Sequence, residues 1–98
     1  MQFRLKGFYG AEHNSVWLNG TKLDIQPSLQ IRKHSFEFAW GYMGSGPSQL
    51  ALAILLQLKG RQFAEAHYFQ LKTDIIATLP NENFDERTIT WEPSQDGT

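Results

Sequence analysis

The glycine-rich stretch that begins at Trp40, WGYMGSGPSQLALAILLQL, constrains the fold more than any other part of the chain. It opens directly into a segment with the composition of a helix. Pro47 suits the first helical position, where its missing N–H would be unpaired anyway, and Gly46 is then the expected N-cap. Gln49 follows three residues after that cap, where its side chain can reach back to the free backbone N–H. These signals predict a helix over residues 47–59.

This helix is apolar on nearly every side, and Gly60 supplies a residue suited to ending it. Its large aliphatic residues leave no wide polar stripe: Leu50, Leu52, Ile54, Leu55, Leu56 and Leu58. A helix of this kind must be buried on most sides. It is too short for a membrane span, which needs about 20 apolar residues. We therefore expect it to be the core helix of a globular domain.

Strand signals precede the helix. Residues 2–9 alternate in the period-two pattern of a strand with one buried face. Residues 16–25 form the strongest hairpin signal, because Asn19 and Gly20 accept the positive φ angles of a two-residue turn. That turn pairs Leu18 with Thr21 and Val16 with Leu23, and it places Trp17 and Lys22 on the opposite face.

The remaining elements complete an α+β fold. We predict a short strand or extended link over residues 29–34 and a central strand over 35–40, with Phe36, Phe38 and Trp40 on one face. A second helix is predicted over 61–79, ended by Pro80, and a last strand over 88–91. The predicted architecture is an antiparallel sheet of four to five strands packed against a two-helix hairpin, in the order β-β-β-β-α-α-β.

Composition limits the functional classes. The 98 residues suffice for one domain, predicted over 1–91, with a disordered polar tail over 92–98. Without cysteine there are no disulfides or thiolate metal sites, and a formal net charge of -1 gives no basic nucleic-acid footprint. The start lacks the apolar region of a signal peptide, and no membrane segment follows, so we expect a cytoplasmic protein.

The glycine turn is the one local motif with a binding mechanism. Backbone N–H groups at a helix N-terminus attract phosphate or carboxylate, so the candidate ligand-binding residues are Gly44, Ser45, Gly46 and Ser48. However, Pro47 removes a donor, and the spacing matches neither a Walker loop nor a dinucleotide-binding turn. The favoured interpretation is a structural turn that lets the helix pack closely on the sheet.

Aromatic residues make up 13% of the chain and supply the other candidate site. Trp17 and Tyr42 are candidate anchors for a partner, since aromatic residues are enriched at interface hot spots. Phe69 and Ile76 form a second apolar patch on the second helix, either packed internally or used in a dimer or partner surface. The histidines have no metal-ligand spacing, so we expect no metal and no cofactor. No catalytic constellation is present, which favours a non-enzymatic protein over an enzyme.

The segment from Phe36 to Leu55 closely resembles a known signature, F-E-W-G-Y-G-G-S-G-P-A-Q-L-A-L-A-L-L. That signature belongs to a family of short bacterial, archaeal and phage proteins of unknown function. The segment from Tyr68 to Pro80 is similar to a second motif of the same family. Met43 and Leu71 depart from the family pattern. The resemblance implies a phage or mobile-element setting and brings no activity.

Three functions remain open at this stage. The preferred one is a small non-enzymatic module that acts by protein–protein interaction. Its partner is another protein or a second copy of this chain, and inhibition of a host or defence factor is one example of such an interaction. The alternative is a small-ligand or phosphate-binding protein, or an enzyme, that uses the glycine turn. The third is nucleic-acid binding, which requires that Arg4, Lys6, Arg32 and Lys33 gather on one face.

Overall fold

Within residues 1–94, four strands form one antiparallel sheet in the order β3-β2-β1-β4, and helices cover one of its faces. The computed structural model describes residues 1–94. The strands are β1 (Gln2–Phe8), β2 (Ser15–Leu18), β3 (Thr21–Lys22) and β4 (Phe84–Thr90). The helices are α1 (Gln26–Leu29), α2 (Ser45–Lys59) and α3 (Arg61–Asp74), followed by a 3-10 turn (Ile76–Thr78). The predicted α+β class, with its antiparallel sheet and helical hairpin, is confirmed.

The first strand shows why the sheet has one covered face. Phe3, Leu5 and Gly7 are buried, whereas the residues between them are exposed. The buried set joins one hydrophobic core with the apolar residues of both long helices. Residues with side chains on the other face, among them Arg4 and Lys6, therefore point away from the helices.

The Asn-Gly hairpin forms as predicted. Leu18 pairs with Thr21, and the N–H of Leu23 donates to the carbonyl of Val16 over 2.8 Å. Asn19 has a φ of 53°, as the two-residue turn requires. The second strand of the hairpin is shorter than predicted, because the chain turns into α1 after Asp24.

The two long helices form a hairpin with a single connecting residue, Gly60, at φ 89°. Residues 46–55 of α2 are all buried, which confirms its place at the centre of the core. The predicted second helix ends earlier than expected, at Asp74, and the 3-10 turn carries the chain toward Pro80.

The predicted central strand over residues 35–40 is wrong. No strand forms there. Side chains make the backbone hydrogen bonds that a neighbouring strand would otherwise have made. Asn14 Nδ2 donates to the carbonyl of Phe38 over 2.7 Å, and the N–H of Trp40 donates to the Tyr9 hydroxyl over 2.9 Å. Phe38 and Trp40 are buried as expected, but Phe36 points into solvent.

The segment over residues 29–34 is also not a strand. It includes the end of α1 and a loop that a side chain of α2 holds in place. The capping pattern predicts that the Gln49 side chain reaches back to the N-terminus of its own helix, but the structure shows no such hydrogen bond. Instead its Oε1 accepts the N–H groups of His34 and Ser35, over 2.6 and 3.1 Å.

The beginning of the predicted tail lies within the described range. Pro93 is buried, and the N–H of Ser94 donates to Gln70 Oε1 over 3.0 Å. The rest of that predicted tail, residues 95–98, lies outside the described residues. Within residues 1–94, no helix combines the length and apolar character needed to cross a membrane.

Candidate functional site

The segment over residues 35–43, which we call the pinned segment, lacks regular structure but is held by hydrogen bonds between Ser35 and Gly41. The N–H of Ser35 donates to Gln49, and the N–H of Gly41 donates to the carbonyl of Ile76 over 3.0 Å. Between them, the Tyr9 hydroxyl accepts from the N–H of Trp40 and donates to its carbonyl over 2.6 Å. The backbone of this segment is therefore fixed from both neighbouring layers.

Trp40 anchors the pinned segment in the core. Its fully buried ring stacks on Tyr9, with centroids 4.1 Å apart, and meets Phe84 edge-on. Its Nε1 donates to the carbonyl of Glu82 over 2.9 Å. Burial, opposed by the backbone hydrogen bond to Trp40, raises the pKa of Tyr9, so the phenol keeps the proton that it donates.

Three large apolar side chains of the pinned segment face solvent. Phe36 is 68% exposed, Tyr42 46% and Met43 55%. Because hydrogen bonds fix the backbone as far as Gly41, ordering of the backbone costs little when a partner covers these side chains. Tyr42 belongs to the set of anchors predicted from sequence, whereas Phe36 was expected on the core side.

The four candidate residues of the glycine turn all lie at the start of α2, but most of them already have intramolecular partners. The Tyr42 ring covers Gly44, where an added Cβ would come within 2.4 Å of it. Gly46 packs against Ala39, and the Ser48 hydroxyl donates to the carbonyl of Gly44 over 3.1 Å. Ser45 is the exposed member of the set.

The other predicted interaction residues do not come together. Trp17 is half-buried on the outer sheet face, with Lys6 Nζ 5.2 Å from its ring centre. Phe69 is 60% exposed on α3, with Lys72 Nζ 5.3 Å from its ring centre. Ile76 is fully buried in the core, so it forms no patch with Phe69 and is not available to a partner in this structure.

A cavity of about 440 Å³ opens beside the pinned segment. The loop before β2, the connection from β3 to the start of α1, and the pinned segment supply its lining: His13, Asn14, Lys22, Leu23, Asp24, Ile25, Gln26, Phe36, Glu37 and Phe38. Glu37 accepts from the N–H of Asn14 over 2.8 Å and lies 3.0 Å from His13 Nδ1. Burial acts to raise the pKa of Glu37, but the hydrogen bonds from Asn14 and His13 and the charge of His13 outweigh it, so the pKa lies below its usual value.

The basic residues that a nucleic-acid interface requires lie on different sides of the sheet. Arg4 contacts Glu86 over 3.1 Å on the outer face, next to Lys6. Arg32 and Lys33 lie in the loop that Gln49 binds on the helix side, where the Arg32 carbonyl accepts from Gln49 Nε2 over 3.0 Å.

Imidazole and carboxylate groups of the described residues do not assemble into a metal site. Within the range 1–94, no group of three or more such side chains could hold a metal ion. His34 Nε2 instead lies 2.9 Å from the Tyr68 hydroxyl. Burial, and then the charges of Arg32 and Lys72, lower the pKa of His34.

Sequence reasoning missed the cavity and the exposure of Phe36. Strict alternation put Phe36, Phe38 and Trp40 on one face, and only the loss of regular strand geometry turns Phe36 outward. The available signal was the sequence Gly41-Tyr42-Met43-Gly44, which is typical of an irregular connection, immediately after the predicted strand.

The fold and the site define a small α+β domain with an aromatic surface segment and a neighbouring cavity. A family model described as "Family of unknown function (DUF6166)" matches residues 6–95, and the chain belongs to this family. No curated protein and no solved structure matches the chain.

Proposed function

We propose that this protein is a non-enzymatic interaction module that binds a protein partner through the exposed side chains of the pinned segment. The observation that carries the proposal is the exposure of Phe36, Tyr42 and Met43 on a segment whose backbone is held by hydrogen bonds at Ser35, Trp40 and Gly41. Aromatic side chains presented in this way are typical of the anchors that dominate binding energy at protein interfaces.

The proposal includes the biological setting in which the protein acts. The sequence resemblance supports an accessory protein of a phage or another mobile element that acts in the host cytoplasm. Inhibition of a host or defence factor is one form that such an interaction takes. A second copy of the chain is the other partner considered, and the oligomeric state in solution distinguishes the two.

The test compares surface variants with one matched control. The wild-type protein, a Phe36→Ser, Tyr42→Ser double variant and a Phe69→Ser variant serve as affinity baits in extracts of the host cell. A retained protein is then purified, and its affinity for each bait is measured by calorimetry. Loss of two anchors should weaken binding by about 30-fold or more, which corresponds to about 2 kcal/mol.

Phe69→Ser is the control because it removes a similarly exposed ring from α3, an element that is not part of the pinned segment. It should leave the affinity within about threefold of the wild type. Equal loss in both variants, or a partner whose affinity the double variant retains, would contradict the assignment of the surface. A sedimentation measurement that shows a dimer broken by the double variant would identify the partner as a second copy.

A further inference from the structure

The cavity beside the pinned segment has the character of a small-ligand site. Its volume of about 440 Å³ lies within the usual range of ligand-binding cavities. Leu23, Ile25, Phe36 and Phe38 provide apolar walls, and polar groups surround them. Three separate parts of the chain build the cavity, so its shape depends on the tertiary structure.

Two carboxylates of the lining are held in position. Glu37 is fixed by the N–H of Asn14 and by His13, and its lowered pKa keeps it ionised at neutral pH. Asp24 accepts from the N–H of Gln26 over 2.9 Å at the start of α1. Against these two carboxylates, the lining contains one ammonium group, that of Lys22. With the imidazole of His13 neutral, the lining carries a net negative charge, and the ammonium group of Lys33 lies outside the lining, next to the Phe36 wall.

The aromatic wall favours the same charge on a ligand. Lys33 Nζ already lies 4.7 Å from the centre of the Phe36 ring, which shows that this ring accepts an ammonium group. The ring remains 68% exposed, so it can contact a ligand as well. Carboxylates combined with an aromatic face are a common means of recognising organic cations.

We propose that this cavity binds an organic cation, an ammonium or guanidinium group carried on an apolar body. The carboxylates of Asp24 and Glu37 attract the charge, and the apolar walls with Phe36 cover the body of the ligand. The source is either a free small molecule or a lysine or arginine side chain of another chain. The site shares Phe36 with the interaction surface proposed above, but the carboxylates of Asp24 and Glu37 are not part of that surface.

The experiment titrates isotope-labelled protein with phenethylammonium and follows backbone amide shifts by NMR. Saturable shifts should cluster at His13, Asp24 and Glu37. The neutral 2-phenylethanol and the anionic 3-phenylpropionate should bind at least about tenfold more weakly, because they lack the charge that the carboxylates attract. Equal affinity for the alcohol, or no saturable shifts with the ammonium, would overturn the proposal.

Charge variants of opposite sign sharpen the test. Asp24→Asn keeps an acceptor for the N–H of Gln26 and should weaken phenethylammonium binding by about fivefold, the effect of one exposed charge pair. Lys22→Gln should strengthen it by a similar factor, since it removes the ammonium group of the lining. If Lys22→Gln weakens phenethylammonium binding, the fixed charges of the lining do not select a cation, and the assignment to a cation is wrong.

A blocked peptide distinguishes the source of the cation. Acetyl-Phe-Lys-amide and acetyl-Phe-Gln-amide are compared under the same conditions. Binding of the lysine peptide alone shows that a side chain of another protein can occupy the cavity. If phenethylammonium binds and neither peptide does, the cavity is assigned to a free small cation. Either of these two results supports the presence of a cation site.

Discussion

At the residue scale, Gln49 joins parts of the chain that backbone hydrogen bonds alone do not connect. Its side chain is fully buried in α2. The oxygen accepts from the loop after α1, and the nitrogen donates to Ser28 Oγ over 2.8 Å and to the Arg32 carbonyl. This one amide thereby fixes α1 and the beginning of the pinned segment against the core helix.

Replacing Gln49 should destabilise the protein strongly. Gln49→Leu keeps the size and helix propensity but leaves the N–H groups of His34 and Ser35 without their acceptor. We expect the free energy of unfolding to fall by about 2–4 kcal/mol, the cost of unpaired buried polar groups. Urea denaturation measures the change, and hydrogen exchange at His34 and Ser35 should accelerate with it.

Gln57→Leu is the matched control. It makes the same substitution in the same helix at an exposed position. Its free energy of unfolding should remain within about 0.5 kcal/mol of the wild type, as is usual for surface changes. A Gln49→Leu variant as stable as this control would show that the amide network contributes nothing net.

At the scale of elements, two glycines with nearly the same φ have different surroundings. Gly41 follows the buried Trp40 at φ 87°, and Gly60 connects α2 to α3 at φ 89°. A Cβ at Gly41 would lie 2.5 Å from the Cα of Asn81, whereas a Cβ at Gly60 has no neighbour within 4 Å. Both positions require glycine for conformation, but only Gly41 also requires it for space.

The two alanine variants separate these requirements. Gly60→Ala should cost about 1–3 kcal/mol through backbone strain alone. Gly41→Ala should cost that amount and roughly 1–3 kcal/mol more, because the backbone at Asn81 must move away from the new methyl group. Thermal and urea unfolding of the two variants provide the comparison, and equal losses would show that the loop at Asn81 yields easily.

At the scale of the whole molecule, stability should depend on pH through His34. Its pKa lies below the ordinary value of 6.5 in the folded protein, because burial and nearby cations disfavour the imidazolium. The unfolded chain then binds the proton more readily than the folded one. The contribution of His34 is complete above pH 6.5 and is lost as the pH falls through the folded pKa.

The measurement is the free energy of unfolding between pH 7.5 and roughly pH 5, in the window that linkage predicts. Wild-type stability should decrease toward the acidic end, and His34→Gln, which does not titrate there, should have a flatter profile. Glu37→Gln should keep the wild-type slope in this window, because the lowered pKa of Glu37 takes effect only below its ordinary value of 4.5. Equal slopes in the wild type and His34→Gln would contradict this account.

The sequence by itself determined the elements whose signals are local. Asn19 and Gly20 dictated the hairpin through their φ angles, and the apolar residues after Pro47 dictated a core helix, because a helix without a polar face cannot remain exposed. The alternation in β1 likewise identified its buried face. These inferences need only residues that are neighbours along the chain.

Only the tertiary structure decided the form of the pinned segment and of the site beside it. The composition of residues 35–40 fits a strand, but a strand needs a neighbouring strand. The edge of β1 pairs with β4, and side chains of Asn14, Tyr9 and Gln49 bind the backbone of residues 35–40 instead. Those partners are distant in sequence, so no local pattern reveals them. The exposure of Phe36 and the meeting of Asp24 with Glu37 in one cavity follow from the same long-range contacts.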